Sequence, residues 1–213
     1  SRYNDVGFTS CRPGNQDWAI RAARLKINKE TGQASAQNAR LEFKGVPVMY
    51  TPYISFPTDG RRLSGILPPM FGNTNKNGFD VALPFYWNIA PNYDATITAR
   101  YLEKRGGMLR AKGRYMIEKS EGAIAGEYLP NDDLKGTSRY SGSFDNKTVF
   151  SQHLKSDIDL NYVSDKYYFS DLNNALGFAS TRFLRSRADL NYEREGVDFL
   201  ARAENYQAAV GDR

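Results

Sequence analysis

The sequence predicts an all-β protein built of antiparallel strands. Three observations carry that reading. From Phe79 onward apolar and polar residues alternate: Tyr93, Ala95, Ile97, Ala99 and Tyr101 interleave with Asp94, Thr96, Thr98 and Arg100. Strict alternation marks a strand whose two faces meet different surroundings. Aromatic residues make up 13% of the chain, with 14 Tyr and 12 Phe, types that favour strands. No stretch approaches the ~18–20 apolar residues of a spanning helix. The longest uncharged run near the middle, residues 81–93, is interrupted by Pro84, Asn88, Pro91 and Asn92.

Taken in order, residues 18–28 and 33–44 form two extended segments. Between them Lys29-Glu30-Thr31-Gly32 reads as a hairpin turn, because Gly takes positive φ without steric cost. The apolar residues change phase from Trp18, Ile20 and Ala22 to Leu25 and Ile27, and a bulge near Ala22-Ala23 would reconcile them. Residues 46–56 form a third segment, broken by Pro47 and Pro52 and closed by Pro57. Proline removes a ladder donor, so this is an edge strand or a crossing strand. Residues 61–78, rich in Gly, Pro and Asn, read as a linker. After it come about eight strands over 79–213. Among them Leu109, Ala111, Gly113, Tyr115 and Ile117 alternate with Arg110, Lys112, Arg114 and Glu118, with Met116 out of phase. Ile158, Leu160 and Tyr162, then Leu184, Ala188, Leu190 and Tyr192, and more loosely Val197, Phe199, Ala201 and Ala203, alternate with polar or charged neighbours.

The two faces differ in kind. The apolar face is thin, with Ala, Gly and Tyr prominent, while the other carries full charges at successive positions. A transmembrane barrel, with one face in lipid and one toward a polar lumen, requires this arrangement, and Tyr at strand ends fits an aromatic girdle. A soluble antiparallel sheet with one wet face is the alternative.

Composition narrows function. Net charge is +5, with 29 Lys plus Arg against 24 Asp plus Glu; this suits an anionic partner without singling out nucleic acid. One cysteine, Cys11, and one histidine, His153, do not make a zinc site. No basic stretch followed by an apolar core marks a signal peptide. His153, Asp132-Asp133 and Glu193/Glu195 have no nucleophile, metal set or phosphate loop around them and read as loop or strand-surface residues. No enzyme, metal or cofactor is expected.

Several motifs fall in a definite order: Thr9-Ser10-Cys11-Arg12-Pro13-Gly14 before Trp18, then Gly45-Val46-Pro47-Val48-Met49-Tyr50-Thr51-Pro52-Tyr53. Arg61-Arg62-Leu63-Ser64-Gly65-Ile66-Leu67-Pro68 follows, then Leu83-Pro84-Phe85-Tyr86-Trp87-Asn88-Ile89-Ala90-Pro91-Asn92-Tyr93. Tyr128-Leu129-Pro130 comes next, and Val163-Ser164-Asp165 precedes Tyr168-Phe169 and Asp171. In these the chain resembles the lipopolysaccharide-assembly outer-membrane proteins of the LptD (OstA/Imp) family. The resemblance implies the C-terminal part of a periplasmic β-jelly roll (1–60), a linker (61–78) and the N-terminal antiparallel strands of a large transmembrane β-barrel (79–213). Such a barrel has about twenty-six strands, so eight would not close, and these residues are expected to be a piece of a longer protein. The implied location is the bacterial outer membrane, with the N-terminal part in the periplasm. The implied function is receipt of lipopolysaccharide by the jelly roll and its insertion into the outer leaflet through a lateral gate. The partners are lipopolysaccharide, an outer-membrane lipoprotein plug (LptE-like), a periplasmic bridge protein (LptA-like) and outer-membrane lipids, with no nucleic acid. A general diffusion channel and a soluble lipid-binding β-protein are the competing functions.

The same resemblance implies roles for residues. Cys11 matches a cysteine that pairs with one near the barrel's C-terminus, the alternative being a buried free thiol. Pro84 lies where prolines loosen the first strand to make the lateral gate, and Ala99 stands where a second proline is usual. Arg100, Arg110, Lys112 and Arg114 share the polar face, where guanidinium and ammonium groups suit lipopolysaccharide phosphate; a hydrated wall balanced by Asp94 and Glu118 is the plainer reading. Leu25, Ile27, Leu41, Phe43, Val48 and Ile54 are expected to line an acyl-chain trough or to form an ordinary sandwich core.

Overall fold

A computed structural model describes residues 1–9, 17–30, 32–60, 62–172 and 183–209. The chain is all-β and antiparallel. Its strands are β1 (Arg2–Phe8), β2 (Trp18–Asn28), β3 (Gln33–Phe43), β4 (Val46–Pro57), β5 (Gly65–Ile66), β6 (Met70–Thr74), β7 (Gly78–Ala90), β8 (Tyr93–Leu102), β9 (Gly106–Ile117), β10 (Ser120–Asp132), β11 (Thr137–Val149), β12 (Leu154–Val163), β13 (Phe183–Arg194) and β14 (Val197–Ala208). One short helix, α1 (Tyr168–Leu172), lies between β12 and β13. The chain divides into two compact units, Ser1–Ile66 and Leu67–Arg213.

In the first unit β1, β2, β3 and β4 pair in that order. The phase change in β2 is not made by a bulge. Register is unbroken through Ala23: Val6, Ala22, Ala39 and Thr51 lie in one row, and Asn4, Arg24, Gln37 and Tyr53 in the next registered one. At the level between, Asp5 and Asn38 take positive φ (48° and 51°), which Asp and Asn tolerate better than other side chains. Pro52 falls at the same level. All the strands therefore change facing together, and Ile20 and Ala22 end up on one side with Leu25. A register shift does occur in the pairing of β3 with β4, between Leu41 and Glu42.

In the second unit the segment read as a linker is partly strand. Met70–Thr74 pairs with the start of β7, Phe71 opposite Val81, and the Phe71 and Phe79 rings stack at 6.3 Å. The Gly, Pro and Asn content suggested punctuation, but an available strand edge overrides local propensity. Strands β7 to β14 then follow as successive antiparallel neighbours. Among the described residues the sheet does not close on itself.

The alternation fixes which face is which. The row Phe85, Ile97, Ala111, Gly126, Gly142 and Tyr162 crosses β7 to β12 on one face. That face leaves large apolar groups uncovered: Ile97 is 36% and Ile124 62% exposed. The opposite face buries ions, with Arg100 at 9%, Glu127 at 5% and Arg139 at 2%. Tyr93 stacks on Tyr115 at 6.4 Å near one end of the strands, and Tyr140 on Tyr162 at 5.9 Å toward the other. Tyr93 and Tyr101, at the two ends of β8, are separated by roughly 27 Å of strand at the usual rise.

Candidate functional site

The first unit holds an apolar groove of about 550 Å³. Buried alanines make its floor, Ala22, Ala36 and Ala39, and their small side chains leave room above the sheet. Leu25, Leu41 and Ile54 line it as expected, joined by Phe8, Met49 and Phe56. Its volume lies in the range of small-molecule and cofactor pockets, about 300–1,000 Å³. Ile27, Phe43 and Val48 are not among its lining residues. Phe43 and Val48 are 52% and 58% exposed. The coordinated phase change explains Val48: Met49 and Thr51 take the groove side of β4, so Val48 faces the other way. Phe43 lies beyond the Leu41/Glu42 register shift. Alanine at every second place in Gln33-Ala34-Ser35-Ala36 was the legible signal for the floor.

The second unit's polar face carries a network that the sequence reading missed. Asp132, read as a surface residue, is fully buried between two guanidiniums, with Arg105 Nη1 at 2.6 Å and Arg139 Nη1 at 2.9 Å. Arg139 grips Asp165 with Nε and Nη2 at 2.8 and 2.9 Å and reaches Asp171 at 3.1 Å. These partners come from a turn, two strands and the β12–β13 connection, so no local spacing announced them. Through them the 164–172 segment is strapped across the polar face. Tyr168 and Leu172 pack on Leu102, Met108, Leu129 and Val163. The Tyr168 hydroxyl donates to Glu127 Oε2 at 2.9 Å.

The expected basic set therefore splits. Arg100 holds Asp80 through Nε and Nη2 and donates from Nη1 to the Leu172 carbonyl at 2.9 Å. Arg110 pairs with Glu127. Arg114 grips Asp94 with Nε and Nη2, both at 2.8 Å, but its side chain stays 57% exposed. Lys112 is exposed. An array of four unengaged cations is not what the fold holds; Arg100 and Arg110 are wall, and Lys112 and Arg114 are the solvent-facing pair.

Pro84 is buried in β7 opposite Thr98. Its carbonyl accepts from the Leu67 amide at 2.9 Å. In a strand one residue's N–H and C=O point to the same side, so the donor missing at Pro84 is missing on the β7 edge away from β8. Ala99 lies on the exposed face of β8, between Leu83 and Leu109, paired on both sides. Cys11 lies outside the described residues. His153 Nδ1 lies 2.8 Å from the Glu193 carbonyl, which ties two neighbouring turns, and Glu195 is exposed.

The family described as LptD, LPS transport system D, matches residues 137–212. The "LPS-assembly protein LptD" of Alkalilimnicola ehrlichii is 40% identical over 212 residues, covering 100% of this chain and 28% of that protein. The protein of the same name from Methylococcus capsulatus is 43% identical over 202 residues, 94% of this chain and 20% of that one. That of Pseudomonas aeruginosa is 40% identical over 213 residues, 97% and 23%. The chain thus spans 20–28% of the length of these relatives.

Proposed function

The chain belongs to the LptD family, and from that premise we propose that it is a working segment of a lipopolysaccharide translocon in the bacterial outer membrane. Residues 1–60 act as the end of a periplasmic jelly roll, 61–78 as the connection, and 79–213 as the first strands of the barrel wall. The groove over Ala36 and Ala39 shelters acyl chains. The seam edge at Pro84, short of one donor, opens laterally to let the lipid into the outer leaflet, and Ala99 leaves β8 fully paired so that the opening falls at β7. Lys112 and Arg114 meet head-group phosphate. An LptE-like lipoprotein fills the lumen, an LptA-like bridge delivers the cargo, and Cys11 forms a disulfide with a distant part of the protein. Transport itself makes and breaks no covalent bond.

The observation that carries this reading is the reversal of faces in the second unit: Ile97 and Ile124 uncovered, Arg100, Glu127 and Arg139 buried. A sheet of that kind is at home with hydrocarbon on one side and a polar lumen on the other. A diffusion channel would have no use for the groove, and a soluble lipid carrier none for the reversed wall.

Photo-crosslinking in cells making the full-length protein tests the reading. A photoreactive side chain at Leu41 or Met49 is expected to capture lipopolysaccharide, and one at Val48 or Tyr50, on the other face, is not. Equal capture from both faces, or none from either, would end the acyl-groove assignment. Pro84→Ala restores the edge donor and is expected to slow appearance of surface lipopolysaccharide while the protein level stays constant.

A further inference from the structure

The face of the first unit's sheet opposite the groove has a character of its own. Because Ile20, Ala22 and Leu25 line the groove, Arg21, Arg24 and Lys26 point the other way. Registered rows then place Arg2 beside Lys26, and Arg21 beside Arg40. All five are exposed; Arg40, between Ala39 and Leu41, also borders the groove, while its Nε reaches Glu42 with that of Arg21. Glu42 lies among them, bonded by Arg21 Nε at 2.9 Å and Arg40 Nε at 2.6 Å; among the described residues no acid takes the terminal nitrogens of either arginine. Tyr50 and Tyr53, from β4, stand at the margin of the same face, 63% and 56% exposed.

This concentration of charge is not general to the chain. Residues 1–66 hold ten of the 29 basic and five of the 24 acidic residues, a surplus of five. The remaining 147 residues hold nineteen of each. The whole net charge of +5 thus belongs to the first unit.

We infer that this basic face docks on the anionic phospholipid headgroups of the leaflet from which β7 enters the membrane. Charge complementarity argues for an anionic occupant, and arginine forks suit phosphate oxygens. The breadth of the array, spread over β1, β2 and β3 without a pocket, suits a surface rather than a single small anion. Tyrosine at the margin is the residue of the headgroup zone. The chain passes directly from Ile66, the last residue of this unit, to Leu67, the first of the next, and a short tether raises the effective concentration of one linked surface for the other's surroundings. An acidic protein is the other class of partner such a face would take, and it is an outcome of the test below. The inference rests on the membrane-spanning reading of the second unit, and it says nothing of what that unit transports.

The full-length protein is reconstituted into nanodiscs of phosphatidylcholine alone or mixed with phosphatidylglycerol. A donor dye on a non-natural side chain at Tyr53 and a headgroup-labelled acceptor lipid report proximity. Energy transfer is expected to rise with phosphatidylglycerol, to fall as salt is raised, and to lose its lipid dependence in the R24E/K26E double variant. Apparent affinity for the anionic disc surface should then drop by at least about tenfold, since each basic side chain near such a surface contributes a several-fold factor. The milder R24Q/K26Q variant, checked for intact β-structure by circular dichroism, should lose part of the effect. Equal transfer in both discs, or a lipid-dependent rise that survives both variants, overturns the inference. A transfer independent of lipid but altered by an added acidic periplasmic protein also overturns it and assigns the face to that partner. Failure of the protein to enter discs would instead refute the membrane-spanning reading.

Discussion

Both units are antiparallel sheets with one apolar and one charged face, yet they use those faces in opposite ways. The first buries small apolar side chains, Ala34 at 1% and Ala36 at 4% exposure, and turns its arginines outward. The second buries arginine and aspartate and turns isoleucine outward. Hydrophobic burial therefore organises the groove, whereas internally satisfied ion pairs organise the polar wall. An uncompensated buried charge costs more than a lost methyl group, so the two units should respond very differently to truncation.

The strongest way to break this contrast is at Arg139. Arg139→Leu takes one of its two guanidiniums from buried Asp132 and strips the bidentate clamp from Asp165, and should cost the second unit about 3–5 kcal/mol, read by denaturant unfolding in lipid. A cost near that of a surface residue would show that the network does not organise the wall. Next comes the outward face. Ile124→Arg should cost about 2–4 kcal/mol if that position lies near the bilayer midplane, whereas on a water-facing surface the same change would fall within about 0.5 kcal/mol. The groove is probed by Ala36→Leu, which fills space above the floor. It should destabilise the first unit by about 1–3 kcal/mol at most and abolish lipopolysaccharide capture from Leu41. Capture that persists would place the lipid elsewhere.

The smallest effect sharpens the contrast from the charged face of the first unit. Partial desolvation works against the Glu42 carboxylate, but hydrogen bonds from Arg21 and Arg40 outweigh it and hold the group below its ordinary value of 4.5. A depressed folded value means that the stabilisation is present above the unfolded value and lost as pH falls through the folded one. Glu42→Gln should therefore lower hydrogen-exchange protection of β2 and β3 slightly at neutral pH, with the difference from wild type vanishing in acid. A difference that grows on acidification would reverse the assignment.

Much of this was legible in the sequence, and the reasons for the rest are specific. The hairpin at Lys29–Gly32 and the alternation from Tyr93 to Tyr101 carried their own signals, in a glycine and in a period of two. The phase change at Ala23 was visible, but its cause lay in Asp5, on a strand that pairs only after a long connection, and in Asn38. Strand β6 was hidden because its Gly72 and Asn73 resemble a turn until β7 offers them an edge. The buried network was invisible for a further reason: Arg105, Asp132, Arg139 and Asp171 are brought together only by four strands and a connection. Asp165, Tyr168 and Asp171 carry the family resemblance in sequence, but nothing in their spacing shows that they strap the polar face.

Arg100 joins three parts of the second unit that would otherwise be independent. It clamps Asp80 on β7, sits itself on β8, and carries the Leu172 carbonyl at the end of α1. The strap and β7 in this way share one side chain: lifting α1 away strips a partner from a buried cation, and moving β7 away strips another. Either displacement leaves the same buried guanidinium short of a partner, so α1 and β7 are coupled energetically through Arg100.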